Sequence, residues 1–110
     1  MPLARCVFLH GLGDHGARHG TLVRALAAAG LDTVVPDLRG HGLSGGLRGA
    51  FRSLDDLVAD ARWAMGLCGE PDLPWVVAGH SMGALVAARM ARGLDPPPVA
   101  TALLSPPFAL

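Results

Sequence analysis

Lysine is missing from this chain. All nine basic residues are arginine, nine acidic residues balance them, and the formal net charge is zero. Charged residues make up only 16% of the sequence. Without a basic run or patch, no nucleic acid or acidic partner is expected. The arginine bias accompanies an excess of Ala, Gly and Pro, which reads as the mark of a GC-rich coding sequence rather than of function. Cysteine is scarce. Cys6 and Cys68 fall in an expected strand and an expected helix, and they read as buried thiols rather than a disulfide or a metal site. No apolar stretch approaches the roughly 18–20 residues that a membrane span needs, so no transmembrane segment is expected. The start, Met1-Pro2-Leu3-Ala4-Arg5-Cys6, has no charged leader, long apolar core or cleavage site, and a cytoplasmic location is expected on that ground. One more shortage bears on chemistry: the five histidines stand at positions 10, 15, 19, 41 and 80, and none follows Ser81.

What is present is apolar, at 51% of 110 residues, enough for one domain with a modest core. Strand and helix patterns alternate. Cys6-Val7-Phe8-Leu9 is a continuous apolar run, as expected for a strand covered on both faces. A helix is expected from Thr21 to Ala29, with Leu22, Val23 and Leu26 on one face and Gly30 as its stop. Thr33-Val34-Val35 reads as the second strand. Ser53 with Asp56 resembles a capping box, and the helix it opens carries Leu54, Leu57, Val58, Ala61 and Met65 and ends near Gly69. Trp75 to Ala78 is the third strand, with Trp63 and Trp75 expected in core or edge packing. A third helix presents Leu85, Val86, Ala88 and Met90. Pro96-Pro97-Pro98 breaks the chain, and Val99 to Leu104 is the fourth strand. The pattern predicts an α/β fold: a four-stranded, mostly parallel sheet with helices on both faces. Its exposed edges invite self-association.

Gly79-His80-Ser81-Met82-Gly83 follows the third strand directly and precedes a helix. This is the Gly-x-Ser-x-Gly pattern, in which a serine stands at the apex of a tight strand-to-helix turn. Small residues let backbone close around the turn, and the serine hydroxyl is held where a substrate can reach it. The reaction class implied is acyl transfer through a serine ester, with Ser81 as nucleophile. Such a reaction also needs amide donors for the charge that develops on the carbonyl oxygen. The N–H of Met82, next to the serine, and the N–H of Leu12, in the turn after His10-Gly11, are the candidates. His10 and Gly11 are then placed at the substrate. Gly11-Leu12-Gly13-Asp14-His15-Gly16 is also a literal G-x-G-x-x-G, with Asp37 21 residues beyond Gly16. A dinucleotide-binding reading competes on that spacing. It fails on context: Ala17-Arg18-His19-Gly20 delays the helix, and Leu38-Arg39-Gly40-His41-Gly42 opens a second glycine loop after Asp37. No cofactor is expected. His15 and His19, spaced i, i+4 near Asp14, read as loop residues rather than metal ligands, and no metal site is expected.

Three motifs in order, His10-Gly11-Leu12-Gly13-Asp14-His15, Asp37-Leu38-Arg39-Gly40-His41-Gly42-Leu43-Ser44 and Gly79-His80-Ser81-Met82-Gly83, resemble the α/β-hydrolase family, in its monoglyceride lipase and lysophospholipase-like branch. The resemblance covers about Cys6 to Pro107. It implies a serine hydrolase core acting on a small acyl ester, a monoacylglycerol or lysophospholipid. It also implies a sheet in which the first strand lies between the second and third. It implies further that residues 1–110 are the central part of such a domain, without its leading strands, its lid and its later Asp and His segments. Asp37, Arg39 and His41 read as holding the second loop through hydrogen bonds and an ion pair, and His80, adjacent to Ser81, is expected to point away from the pocket into packing; by the resemblance, His10 shapes the oxyanion turn rather than moving protons. Asp95, the acid after Ser81, reads as a loop residue. The alternative from another class is an α/β domain that binds a ligand or partner without turnover.

Overall fold

The alternating apolar runs build one parallel sheet. In the computed structural model, which describes residues 2–11, 20–36, 53–67 and 72–105, the strands are β1 (Ala4–Leu9), β2 (Leu31–Val34), β3 (Trp75–His80) and β4 (Ala100–Leu104), with order β2-β1-β3-β4. Every pairing is parallel. Val7 sits opposite Val34 on one side and Val77 on the other, and Val77 opposite Thr101. The helices are α1 (Gly20–Ala28), α2 (Leu54–Gly66) and α3 (Met82–Gly93). The order places β1 between β2 and β3, as the family resemblance implies.

β1 lies inside the sheet, and this explains why its sequence shows no polar alternation. Odd residues Val7 and Leu9, with Val77 of β3, pack with Leu57, Ala61 and Met65 of α2 and Val86, Ala87 and Met90 of α3. Even residues Cys6 and Phe8, with Ala78, turn to the other face, where Leu22 and Leu26 of α1 cover them. A strand neighbour points each way, so one unbroken run fills two half-cores. Each fully buried Leu or Val contributes about 1.5–3 kcal/mol relative to exposure. Burial pushes the Cys6 thiol above its ordinary pKa against a hydrogen bond from Thr33, so it is a protonated packing group.

Several local expectations shift. Ser53 stands at the N-cap of α2 but makes no side-chain capping bond; the backbone N–H of Asp56 donates to its carbonyl at 3.2 Å instead. The α2 helix ends at Gly66, before Gly69. The buried face of α3 runs through Met82, Ala84, Val86, Ala87 and Met90, not through Leu85 and Ala88, because its first turn is driven against the end of β1. Trp63 is 70% exposed on the outer side of α2, so it packs in neither core nor edge. Trp75 is half-buried, with the Arg5 guanidinium 4.4 Å from its ring centroid. Arg5 also donates Nε and Nη2 to the Leu73 carbonyl, which pins the loop before β3. An exposed Arg89–Asp55 pair links α3 to α2 at 2.6 Å. Gly30 does end α1, with φ of +95°. Cys68 and the tail beyond Ser105 lie outside the described residues, and no helix among those residues is long and apolar enough to cross a membrane.

The tightest joint is between α3 and β1. A Cβ on Gly83 would overlap the Leu9 carbonyl and lie 2.6 Å from the His10 carbonyl oxygen. Both obstacles are backbone and cannot swing aside. Gly83→Ala is therefore expected to destabilise the protein by about 3 kcal/mol, the upper end of ordinary overpacking. Gly66→Ala, where a Cβ meets nothing within 4 Å among the described residues, is expected to be neutral or to stabilise by up to about 1 kcal/mol. Urea unfolding of the two variants checks the contrast, and equal effects would contradict this packing.

Candidate functional site

The carboxyl ends of β1 and β3 lie side by side, with Leu9 opposite Gly79 in register. Parallel α/β sheets bind ligands at such ends. At this point β3 stops at His80, the chain turns at Ser81, and α3 begins at Met82. Ser81 has φ 57° and ψ −122°, a conformation that L-residues rarely adopt and that costs roughly 1–3 kcal/mol. The surrounding backbone leaves little alternative. A Cβ on Gly79 would overlap the Gly83 carbonyl and approach the Ala84 nitrogen at 2.7 Å, so strand and helix are nearly in contact across the apex. The Ser81 N–H donates to the Leu104 carbonyl at the end of β4, at 2.9 Å, and the Ser81 carbonyl accepts from Ala84 N–H at 2.9 Å. The apex is thus tied both to the sheet and to the helix it opens. Among the described residues, Ser105, just past β4, is the other non-glycine residue with positive φ, at 49°.

Of the sequence-selected residues, the structure brings together His10, Gly11, Ser81 and Met82. Gly11 and Ser81 are close enough that a Cβ on Gly11 would lie 3.4 Å from the Ser81 Cβ. Ser81 is half-buried, and Met82 is 4% exposed. Met82 is also the first residue of α3, so its N–H is among the amides that a helix cannot satisfy internally, at the positive end of the helix dipole. His10 is fully buried, and its Nδ1 donates to the Gly11 carbonyl at 2.8 Å. That bond places the proton on Nδ1 and fixes the ring against the turn that leaves β1. His80 is exposed rather than packed away, and its Nδ1 would lie 3.8 Å from a Gly11 Cβ. Asp95 is an exposed residue in the bend after α3. Leu12, Asp14, His15, His19, Asp37, Arg39 and His41 lie outside the described residues. Sequence reasoning missed the Leu104 carbonyl as an anchor of the apex. No local signal could have shown it, because it depends on β4 pairing beside β3.

A parallel sheet with this strand order, and a strained serine between strand and helix at the carboxyl end of β3, define the α/β-hydrolase fold. The chain belongs to the hydrolase family described as serine aminopeptidase, S33, whose model matches residues 1–110. It is 40% identical over 84 residues to a monoacylglycerol lipase of Mycolicibacterium smegmatis, covering 74% of this chain and 30% of that protein. It is 30% identical over 106 residues to the phospholipase YtpA of Bacillus subtilis, covering 96% of this chain and 41% of that protein. Its structure matches the crystal structure of the Paleococcus ferrophilus monoacylglycerol lipase with a TM-score of 0.84 and 30% identity, over 99% of this chain and 41% of that one. The match therefore spans between 30% and 41% of the length of these relatives.

The strain at Ser81 has a measurable consequence. Glycine accepts the positive φ that serine and alanine resist, so Ser81→Gly is expected to be about 1 kcal/mol more stable than Ser81→Ala, the balance of released strain against glycine's entropy. In a thermal melt this corresponds to roughly 4–8 °C for a domain of this size. A glycine variant that melts below the alanine variant would contradict strain at the apex.

Proposed function

We propose that this chain carries the nucleophile and the oxyanion-binding half of a serine ester hydrolase active site. The observation that carries the proposal is the position of Ser81: strained, half-buried, at the apex between β3 and α3, and against the Gly11 turn. The Ser81 Oγ attacks the ester carbonyl carbon as its proton passes to a base. The carbonyl oxygen takes the negative charge and is held by the Met82 N–H and the Leu12 N–H. Collapse breaks the bond to the alcohol, which leaves with a proton, and water then hydrolyses the acyl-serine to acid and free Ser81. His10 is a positioning residue here. Its buried Nδ1 is committed to the Gly11 carbonyl, which orients the oxyanion turn. We place the general base outside the described residues.

The substrate class we propose is a monoacylglycerol or lysophospholipid-like ester. The family model carries a peptidase description, but the monoacylglycerol lipase and phospholipase among its relatives favour esters, and the same acyl-serine chemistry serves both. Labelling with a fluorophosphonate probe, together with turnover of monoacylglycerol against an aminoacyl amide, tests the proposal. Labelling at Ser81, its loss in Ser81→Ala and faster ester turnover are expected. Loss of the nucleophile should lower kcat by about a million-fold where the complete machinery is assembled. A folded protein whose Ser81 stays unlabelled would instead favour a binding domain without turnover.

We also propose self-association through β4. All five β4 residues are exposed, its outer edge has no strand partner among the described residues, and Ala100-Thr101-Ala102-Leu103-Leu104 carries no charge to repel a second strand. Val99, Leu103 and Leu104 add exposed apolar surface beside it. Sedimentation is expected to show dimers or larger species at high micromolar concentration, and Thr101→Lys should shift them toward monomer. A wild-type monomer across that range would sink the idea.

A further inference from the structure

Two serines among the described residues hold positive φ, and the sheet sets them side by side. His80 and Leu104 are partners in the register of β3 and β4. The next residue on each strand is the strained one, Ser81 at φ 57° and Ser105 at φ 49°. One hydrogen bond joins them. The Ser81 N–H donates to the Leu104 carbonyl at 2.9 Å, as the last rung of the ladder between the two strands. Gly79 and Gly83 account for the conformation of Ser81, because they let strand and helix close around it. Among the described residues, no such approach accounts for Ser105. It is exposed, and Pro106 follows it in the sequence. A residue before proline is steered to extended backbone with negative φ. The left-handed region is the ordinary place of glycine and, less often, asparagine. A strained residue persists where its surroundings hold it, and such residues gather at active sites.

We propose that Ser105 is a positioning residue for the nucleophile: its left-handed backbone keeps the Leu104 carbonyl on the Ser81 N–H and so holds the apex in place. This inference rests on Ser81 being the nucleophile. The Leu104 carbonyl and the Ser105 N–H belong to one planar peptide group. The φ of residue 105 is the rotation about the bond from that plane to the Ser105 Cα. With the chain path kept on either side, φ passes from positive to negative only when the plane turns over. That turn carries the Leu104 carbonyl off the Ser81 N–H. Ser81 then keeps its tie to α3, through the Ala84 N–H, and loses its tie to β4. The rare conformation at the apex has less to sustain it, and the main chain that carries the nucleophile shifts. What position 105 needs is therefore tolerance of positive φ, not a hydroxyl. Displacing a reacting group by about 1 Å costs on the order of 100-fold in rate. Such a loss falls on the attack and not on substrate binding.

The test compares three variants of the full-length protein with one another, each assayed well below its melting temperature. The readouts are kcat and KM for p-nitrophenyl butyrate and the rate of fluorophosphonate labelling at Ser81. Ser105→Thr keeps a hydroxyl, but its β-branched side chain resists positive φ. Ser105→Gly and Ser105→Asn lose the hydroxyl and accept that conformation. Expected is a kcat for Ser105→Thr about tenfold or more below those of Ser105→Gly and Ser105→Asn, with KM within about threefold among them and labelling rates in the same order. If Ser105→Thr does not fold, Ser105→Ala takes its place, since alanine also resists positive φ. Equal kcat in the variants, the highest kcat in Ser105→Thr, or a change confined to KM or to the melting temperature would overturn the inference and leave the nucleophile assignment standing. A folded wild type whose Ser81 stays unlabelled removes the nucleophile role itself, and this inference with it.

Discussion

The close approach of α3 to the end of β1 is the constraint on which the rest of the site depends. Gly83 lets the first turn of the helix rest on the Leu9 and His10 carbonyls, and Gly79 lets strand and helix nearly touch. With both ends held, the single residue between them must reverse the chain, and Ser81 does so at positive φ. The strain is local, but what sustains it is spread through the sheet. Leu9, Val77, Val86 and Met90 are essentially buried, and their packing fixes where β1, β3 and α3 lie relative to one another. A conformation costing 1–3 kcal/mol persists only where its surroundings over-determine it.

That joint also explains why the candidate site gathers in one place. The β1 strand delivers His10 and Gly11 to the same end of the sheet at which β3 delivers Ser81, because the two strands are parallel neighbours in register. The positive end of the α3 dipole and the helix's first amide, that of Met82, then fall beside the serine without any further device. A buried His10 bonded to the next residue's carbonyl holds the exit of β1 rigid. In the proposed chemistry, rigidity matters more than charge, since preorganised donors act without reorganising during reaction.

Much of this was legible in the residues. The alternation of apolar runs with helical spacing identified four strands and three helices, and the two glycines flanking Ser81 marked the apex, because their spacing is a steric requirement rather than a preference. Other features were not legible. Trp63 looked like a core or edge packing residue by type, but α2 turns it outward, since Leu57, Ala61 and Met65 already define the buried face. The Ser53 cap looked plausible by pattern, yet a backbone bond does the work its side chain was expected to do. The α3 face was misjudged because hydropathy favours Leu85, whereas contact with β1 selects the small residues Gly83, Ala84 and Ala87.

The sequence by itself determined the class of fold, the position of the serine and the glycines that its turn requires, because these follow from local periodicity and from atoms a few residues apart. Only the tertiary structure decided that Leu104, at the end of a strand that follows the next helix, accepts the Ser81 N–H, that His10 is wholly buried, and that Gly11 lies against Ser81. Those three facts depend on which strands become neighbours. Strand neighbourhood is set by the packing of the whole sheet and its helices, and no window of the sequence contains it.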